Sequence, residues 1–136
     1  IEDRGRDWRD VVSEVRLAPR YTQALEGLEE YSHIIVLFHA HWAYPAQLKI
    51  HPDGWEDLPE VGVLATRTTS RPNPIALTVV RLLDRKDNVL RVQGLDALDG
   101  TPVIDIKPYL PETDNVSESR APQWAETLSS RWKDRK

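Results

Sequence analysis

No cysteine and no methionine occur among the 136 residues. Without thiols there are no disulfides, no thiolate ligands for a metal and no thiol nucleophile, and the chain fits a reducing compartment. With no methionine even at position 1, the natural beginning is expected to lie upstream of Ile1. No apolar run approaches the roughly 20 residues of a membrane-spanning helix, and the start shows no charged segment leading into a secretory apolar stretch. A soluble protein of the cytoplasm, away from membranes, is the expectation. Only six glycines are present, and none of them builds a phosphate-cradling loop or a dinucleotide fingerprint behind a strand. No serine sits in a nucleophile elbow, so covalent catalysis is disfavoured. An excess of positive charge is also missing. The net charge of −4 argues against a protein that coats nucleic acid by charge alone, so any RNA contact has to be a local patch.

What is present suffices for one core. At 40% hydrophobic over 136 residues the chain is too short for two comfortable domains, so 1–136 reads as a single one. The charged stretch up to Asp10, anchored by Trp8, reads as loop. Val11 to Leu17 places Val11, Val15 and Leu17 on one face, a half-buried strand that Pro19 ends. Leu25, Leu28 and Tyr31 mark a turn or two of helix around Gly27. Ser32 to Trp42, SHIIVLFHAHW, predicts a central strand buried on both faces. Ala43 to Glu60, with Pro45, Pro52, Gly54 and Pro59, reads as a long surface excursion of the sort that is functional or mobile in compact domains. Val61 to Ala65 and Ile75 to Leu83 read as strands. Lys86 to Asn88 turns the chain into Val89 to Leu95, completing a β-hairpin. A further strand lies in PVIDIKPY, and residues 112–136 form a polar tail and a helix. Trp124, Leu128 and Trp132 recur there at i, i+4 and i+8, an amphipathic pattern. Together these elements predict a mainly all-β fold, a small antiparallel β-barrel with peripheral short helices and a C-terminal amphipathic helix.

Three constellations could carry chemistry. The first is GVLATRTTSRPNPIAL, from Gly62 to Leu77. Pro72 and Pro74 fix φ and push Arg71 and Asn73 towards extended geometry, giving a stiff loop that can hold Arg67 and Arg71 at the rim of a sheet. The second is the pair His39 and His41, two apart on the expected strand and therefore on one face. Two histidines invite a metal, but no third ligand follows: His33 shares that face and lies about 20 Å away at the usual strand rise. No metal is expected, and the histidines read as structural or substrate-contacting. The third is LDALDGTPVIDIKPY, from Leu95 to Tyr109. Asp99 and Gly100 form an ordinary turn pair, while Asp105 and Lys107 project from one face and can neutralise each other or meet a ligand.

EGLEEYSHIIVLFHAH, GVLATRTTSRPNPIAL and LDALDGTPVIDIKPYLP, in that order between about Ser13 and Pro111, resemble the TsaA-like (TrmO-type) family of S-adenosylmethionine-dependent tRNA adenine-N6-methyltransferases. The resemblance implies a homodimeric β-barrel, S-adenosyl-L-methionine as cofactor, and a tRNA substrate methylated on N6 of a threonylcarbamoylated adenosine next to the anticodon. Carried onto this chain, the cofactor site takes His41, Trp42, Arg67, Leu77 and the turn Asp99, Gly100, Thr101 and Pro102. Thr69 and Ala76 stand where the family shows a proline and a glycine. The family's first strand and its Pro-Arg-Gln segment are expected to be missing from this sequence.

Methyl transfer from a sulfonium asks chiefly for alignment of nitrogen, methyl and sulfur. The carbamoylated adenine N–H then needs a proton acceptor, and His41, Asp99 and Asp105 are the candidate catalytic groups. Arg71, Asn73 and Lys107 are expected on the substrate side, a cation there pairing with the threonyl carboxylate or a phosphate. The alternative is a non-catalytic module that binds or senses S-adenosylmethionine or a nucleotide.

Overall fold

The computed structural model describes residues 7–133. Its strands are β1 (Val12–Arg16), β2 (His33–His39), β3 (Lys49–Ile50), β4 (Val61–Gly62), β5 (Ile75–Lys86), β6 (Val89–Gln93) and β7 (Val103–Pro108), and its α-helices are α1 (Pro111–Asp114) and α2 (Gln123–Lys133). β1, β6, β5, β2 and β7 form one sheet in that order, with β3 and β4 paired apart from it. Every neighbouring pair in the large sheet is antiparallel. The expected antiparallel β architecture is therefore present, while the sheet of the described residues is open rather than a closed barrel. Its two edges, β1 and β7, run in the same direction.

The hairpin forms where the sequence places it. Lys86 faces Val89 across a two-residue turn, and Asp87 takes φ +54, a left-handed position that aspartate tolerates better than most residues. Asn88 then fastens the hairpin to the end of β1: its Nδ2 donates to the Leu17 carbonyl at 2.6 Å, and the Leu17 N–H donates back to the Asn88 carbonyl at 3.0 Å. Period-two alternation puts Leu90 and Val92 inward, where they join Ile34, Val36, Phe38 and Val80, each at most 1% exposed. Burying an aliphatic or aromatic side chain of this size contributes about 1.5–3 kcal/mol. These six residues, with Val15, Leu25, Leu82 and Leu95 beside them, form the main core.

Several expectations need correction. β2 lies fourth in the sheet, with β5 at its centre, and only its inner face is fully buried: His33, Ile35 and Leu37 are half-buried and His39 is exposed. Val61 to Ala65 is a strand for two residues and then a 3-10 turn, Val63–Ala65. The expected helix near Gly27 is two 3-10 turns, Pro19–Leu25 and Leu28–Glu30. Between Leu37 and Phe38 the register against β7 slips, so that Leu37 faces Asp105 while Phe38 faces Val103. Ile104 is left over as a bulge residue and is 53% exposed.

Candidate active site

The ladder of β2 ends where two loops take over its backbone. His39 donates its N–H to the Pro102 carbonyl at 2.9 Å, and Ala40 donates to the Pro74 carbonyl at 2.8 Å. Pro102 closes the Asp99 to Pro102 turn and Pro74 belongs to the RPNP segment, so two stretches distant in sequence flank the end of one strand. The chain then folds back on itself, with the His41 N–H on the His39 carbonyl (2.8 Å) and the Ala43 N–H on the Ala40 carbonyl (3.0 Å). This turn overturns the expectation that His39 and His41 share a strand face, because the strand has ended before His41. Among the described residues no group of three or more histidines and carboxylates is placed to hold a metal ion.

Trp42 is positioned from below by Phe38, ring centroids 6.1 Å apart and 27° between planes, and it receives His41 edge-on at 5.3 Å and 81°. Phe38 is a core residue, so the buried sheet itself sets the height of the tryptophan. His41 is exposed. Across the strand end, the Asp99 turn is braced internally by the Thr101 N–H and hydroxyl, both on the Leu98 carbonyl (3.1 and 2.5 Å). Gly100 sits there at φ +81 with open space where a Cβ would stand, so the glycine is needed for backbone conformation rather than for room. Asp99 remains exposed at the rim.

The RPNP side is held by Arg71. Its Nη1 donates to the carbonyls of Thr66 (2.7 Å) and Thr68 (3.1 Å), spanning Arg67. Arg71, expected to meet substrate, thus acts first as a staple of its own loop, while Arg67 is exposed and makes no ion pair with a described carboxylate. Asn73 is exposed beside it, its carbonyl accepting the Ile75 N–H at 2.7 Å.

Leu77 faces Leu37 on the outer side of the sheet, with Asp105 on the far side of Leu37. Asp105 and Lys107 do share that face, and they pair at 3.0 Å. Lys107, and after it the Ile106 N–H at 2.8 Å, hold the Asp105 carboxyl below the usual carboxylate range. A carboxylate stabilised in this way is a weaker proton acceptor. On the inner side, an open cleft of about 1190 Å³ lies between β1 and β7, lined among others by Trp8, Phe38, Leu95, Asp99 and Thr101. The structure therefore divides the expected site. Asp99, Gly100, Thr101 and Pro102 border the cleft, whereas His41, Trp42, Arg67 and Leu77 do not line it.

Sequence reasoning passed over the outer face of β5. Ile75, Leu77 and Val79 alternate two apart and stand 46%, 44% and 43% exposed. The signal was available in IALTVV, where apolar residues fill both faces of a strand. Asp96, which the sequence groups with Asp99 and Asp105 in one acidic stretch, accepts the Thr78 hydroxyl at 2.5 Å.

Residues 3–115 match the tRNA-methyltransferase O N-terminal domain. The chain belongs to that family. A probable S-adenosyl-L-methionine-binding protein of Pyrococcus abyssi is 45% identical over 118 residues, covering 87% of this chain and 62% of the relative. The tRNA (adenine(37)-N6)-methyltransferase of Escherichia coli K12 is 40% identical over 116 residues, covering 79% of this chain and 49% of that enzyme. A crystal structure of TrmO from Pseudomonas aeruginosa superimposes with a TM-score of 0.67 at 40% identity, covering 83% of this chain and 48% of that one. The chain thus spans about half to two thirds of the length of these family members. Among its described residues no helix is long and apolar enough to cross a membrane.

Proposed function

We propose that this chain is an S-adenosyl-L-methionine-dependent methyltransferase that methylates N6 of a threonylcarbamoylated adenosine next to the tRNA anticodon, working as a homodimer in the cytoplasm. The observation that carries this reading is the junction at the end of β2. There His39 and Ala40 tie the Asp99 turn and the RPNP loop to opposite sides of one strand, with His41 and Trp42 leading out between them. The donor set suits an adenosine that bears a sulfonium. Trp42 offers an aromatic face to a cation, Leu77 an apolar contact, Asp99 an acceptor for ribose hydroxyls, and Gly100, Thr101 and Pro102 shape the turn that presents it. The bound sulfonium supplies an activated methyl group, and the protein's part is alignment and removal of one proton.

N6 forms its bond to the methyl carbon as the carbon–sulfur bond breaks, and the N6 proton passes to a base. Asp105 is the weaker candidate because Lys107 and the Ile106 N–H already stabilise its charge. His41, exposed and with no ion-pair partner among the described residues, is the acceptor we favour, with Asp99 second. Such a base is worth about 10²- to 10⁴-fold in rate. Arg67 belongs to the cofactor side, and Arg71, Asn73 and Lys107 to the substrate side. For Arg71 this means the guanidinium nitrogens other than the one that staples the loop.

The exposed face of β5 supports the dimer. Ile75, Leu77 and Val79 form a contiguous apolar strip beside Leu37 and Ile35, and such strips on a small protein mark an interface. Leu77 lies within it, so a second copy seated there would complete the donor site. The remaining step to a barrel is one further strand, running opposite to both β1 and β7, which would close the sheet with antiparallel pairs throughout.

The test is transfer of labelled methyl from S-adenosylmethionine to tRNA with and without the threonylcarbamoyl group. Transfer confined to the modified tRNA is the expected result. Calorimetric binding of S-adenosylmethionine without transfer to either tRNA would replace this reading by the sensing module, which the names of the archaeal relatives favour.

A further inference from the structure

Helix α2 lies beyond residues 3–115, the part that matches the family, and its polar contacts converge on one segment. Arg131 forks onto both carboxylate oxygens of Asp57 (3.1 and 2.5 Å), and the same guanidinium lies 4.5 Å from the centroid of the Trp55 ring. Trp132 Nε1 donates to the Asp53 carboxylate at 3.2 Å. Leu128, one turn earlier, is only 8% exposed. Asp53, Trp55 and Asp57 all belong to the connection that leaves the end of β2 after Trp42 and returns through β4 to Arg67.

Among the described residues the other ties of that connection are local: the Val63 N–H donates to the Leu48 carbonyl at 2.9 Å, and Glu60 faces Lys49 Nζ at 3.7 Å and His51 Nε2 at 3.9 Å. β3 and β4 pair over two residues each, His51 Nδ1 meets the Leu58 carbonyl at 2.8 Å, and Asp53 sits at φ +53. Leu58 and Val63 are buried, at 6% and 3% exposure, yet neither is part of the main core cluster. A segment with so few ladder bonds and a separate small core opens locally at low cost unless something else restrains it. A fork, a ring contact and a neighbouring Trp–Asp bond on one helical turn are such a restraint, whereas an exposed ion pair by itself contributes little.

We propose that α2 is a strap that fixes the 43–60 connection and, through its two ends, the placement of His41, Trp42 and Arg67, which makes Arg131 a positioning residue for the methyl-donor site. The inference rests on the cofactor reading given above. Arg131 touches neither donor nor nucleotide. Its effect is on the fraction of molecules whose site is assembled, and that fraction multiplies the observed affinity.

The experiment uses the full chain and S-adenosylhomocysteine as the probe. Affinity is measured by calorimetry, and amide hydrogen exchange is followed across 43–66 and across β5–β6. Arg131→Ala is expected to weaken binding about five- to tenfold and to speed exchange in 43–66 while β5–β6 stays protected. Arg131→Lys, which keeps the charge over Trp55 but loses the fork, is expected to recover about half of the loss on a logarithmic scale. Affinity unchanged in Arg131→Ala, or exchange faster in 43–66 with no change in affinity, overturns the strap. If Arg131→Ala loosens the whole sheet, Trp132→Phe replaces it. That variant removes the bond to Asp53 with part of the indole ring and leaves the Arg131 fork in place; it is expected to shift both readouts in the same direction by less, and no shift in either overturns the strap. A wild-type chain that binds no S-adenosylhomocysteine overturns the cofactor reading instead. The strap then stands or falls on exchange in 43–66 alone, where unchanged protection in Arg131→Ala rejects it.

Discussion

On the inner face of β2 and β5, Ile34, Val36, Phe38 and Val80 are at most 1% exposed, whereas on the outer face of β5 the residues Ile75, Leu77 and Val79 stand 43–46% open. The two faces use the same kinds of side chain. The inner one packs against Val15 of β1, Leu90 and Val92 of β6, and the 3-10 turns that carry Leu25 and Leu28 onto the core. Nothing among the described residues covers the outer one to the same degree. An apolar side chain therefore reports that a surface wants a partner, while only the topology reports whether the partner is its own chain.

The difference between the faces is open to direct attack. Phe38→Ala is expected to cost about 3–5 kcal/mol of folding stability, the usual loss for emptying an aromatic site in a core. It should also release Trp42, shifting its fluorescence. Leu77→Ala on the outer face is expected to cost under about 1 kcal/mol in urea denaturation at dilution. Equal losses at the two positions would mean that the outer face is already packed within one chain.

Val79→Asp sharpens the same contrast from the other side. An unpaired charge in a buried interface costs about 3–5 kcal/mol, so sedimentation equilibrium at micromolar concentration should show dimer becoming monomer while the melting of the monomer hardly changes. A dimer that survives this substitution is not made through β5.

Away from both faces, Arg67→Ala is expected to weaken S-adenosylmethionine binding by about 1–3 kcal/mol, the worth of a charge-assisted hydrogen bond. Unchanged affinity would remove Arg67 from the site.

The smallest effect belongs to the Asp105–Lys107 pair on the outer face of β7. Lys107 lowers the folded-state pKa of Asp105. Its contribution to stability is therefore fully present above the ordinary carboxylate range and is lost as pH falls through the lowered folded value. Carboxyl-carbon NMR should place the Asp105 midpoint below that of an unpaired aspartate, and Lys107→Ala should raise it. A midpoint unmoved by that substitution would assign the shift to the Ile106 N–H alone.

Much of this architecture is legible in the residues, and the misreadings have physical causes. The β5–β6 hairpin and α2 were found because turn chemistry and period are local signals. SHIIVLFHAHW was read as a strand buried on both faces because its apolar run does not reveal that the described residues cover the outer side only in part. His39 and His41 were placed on one face because the end of β2 is imposed by the Pro102 and Pro74 carbonyls, which come from elsewhere in the chain. The resemblance to the family brought the Asp99 turn and the RPNP loop to one site, and spacing alone could not have done so. Nor could it have found the Arg131 fork, whose partner Asp57 lies 74 residues away.

The turn at Asp87 and Asn88 also bears on how the chain reaches this structure. Within the five-stranded sheet, β5 and β6 are the only paired strands that follow one another directly in sequence. β1 must find β6 across most of the chain, and β2 must find β7 beyond the hairpin. Hairpins close in about 1–10 μs, whereas pairings between distant segments must first overcome the entropy of loop closure. The hairpin is thus the natural template on which β2 and then the two edges assemble. On that order of events, destabilising substitutions around Asp87 and Leu90 slow refolding, and equally destabilising ones in β7 appear mainly as faster unfolding.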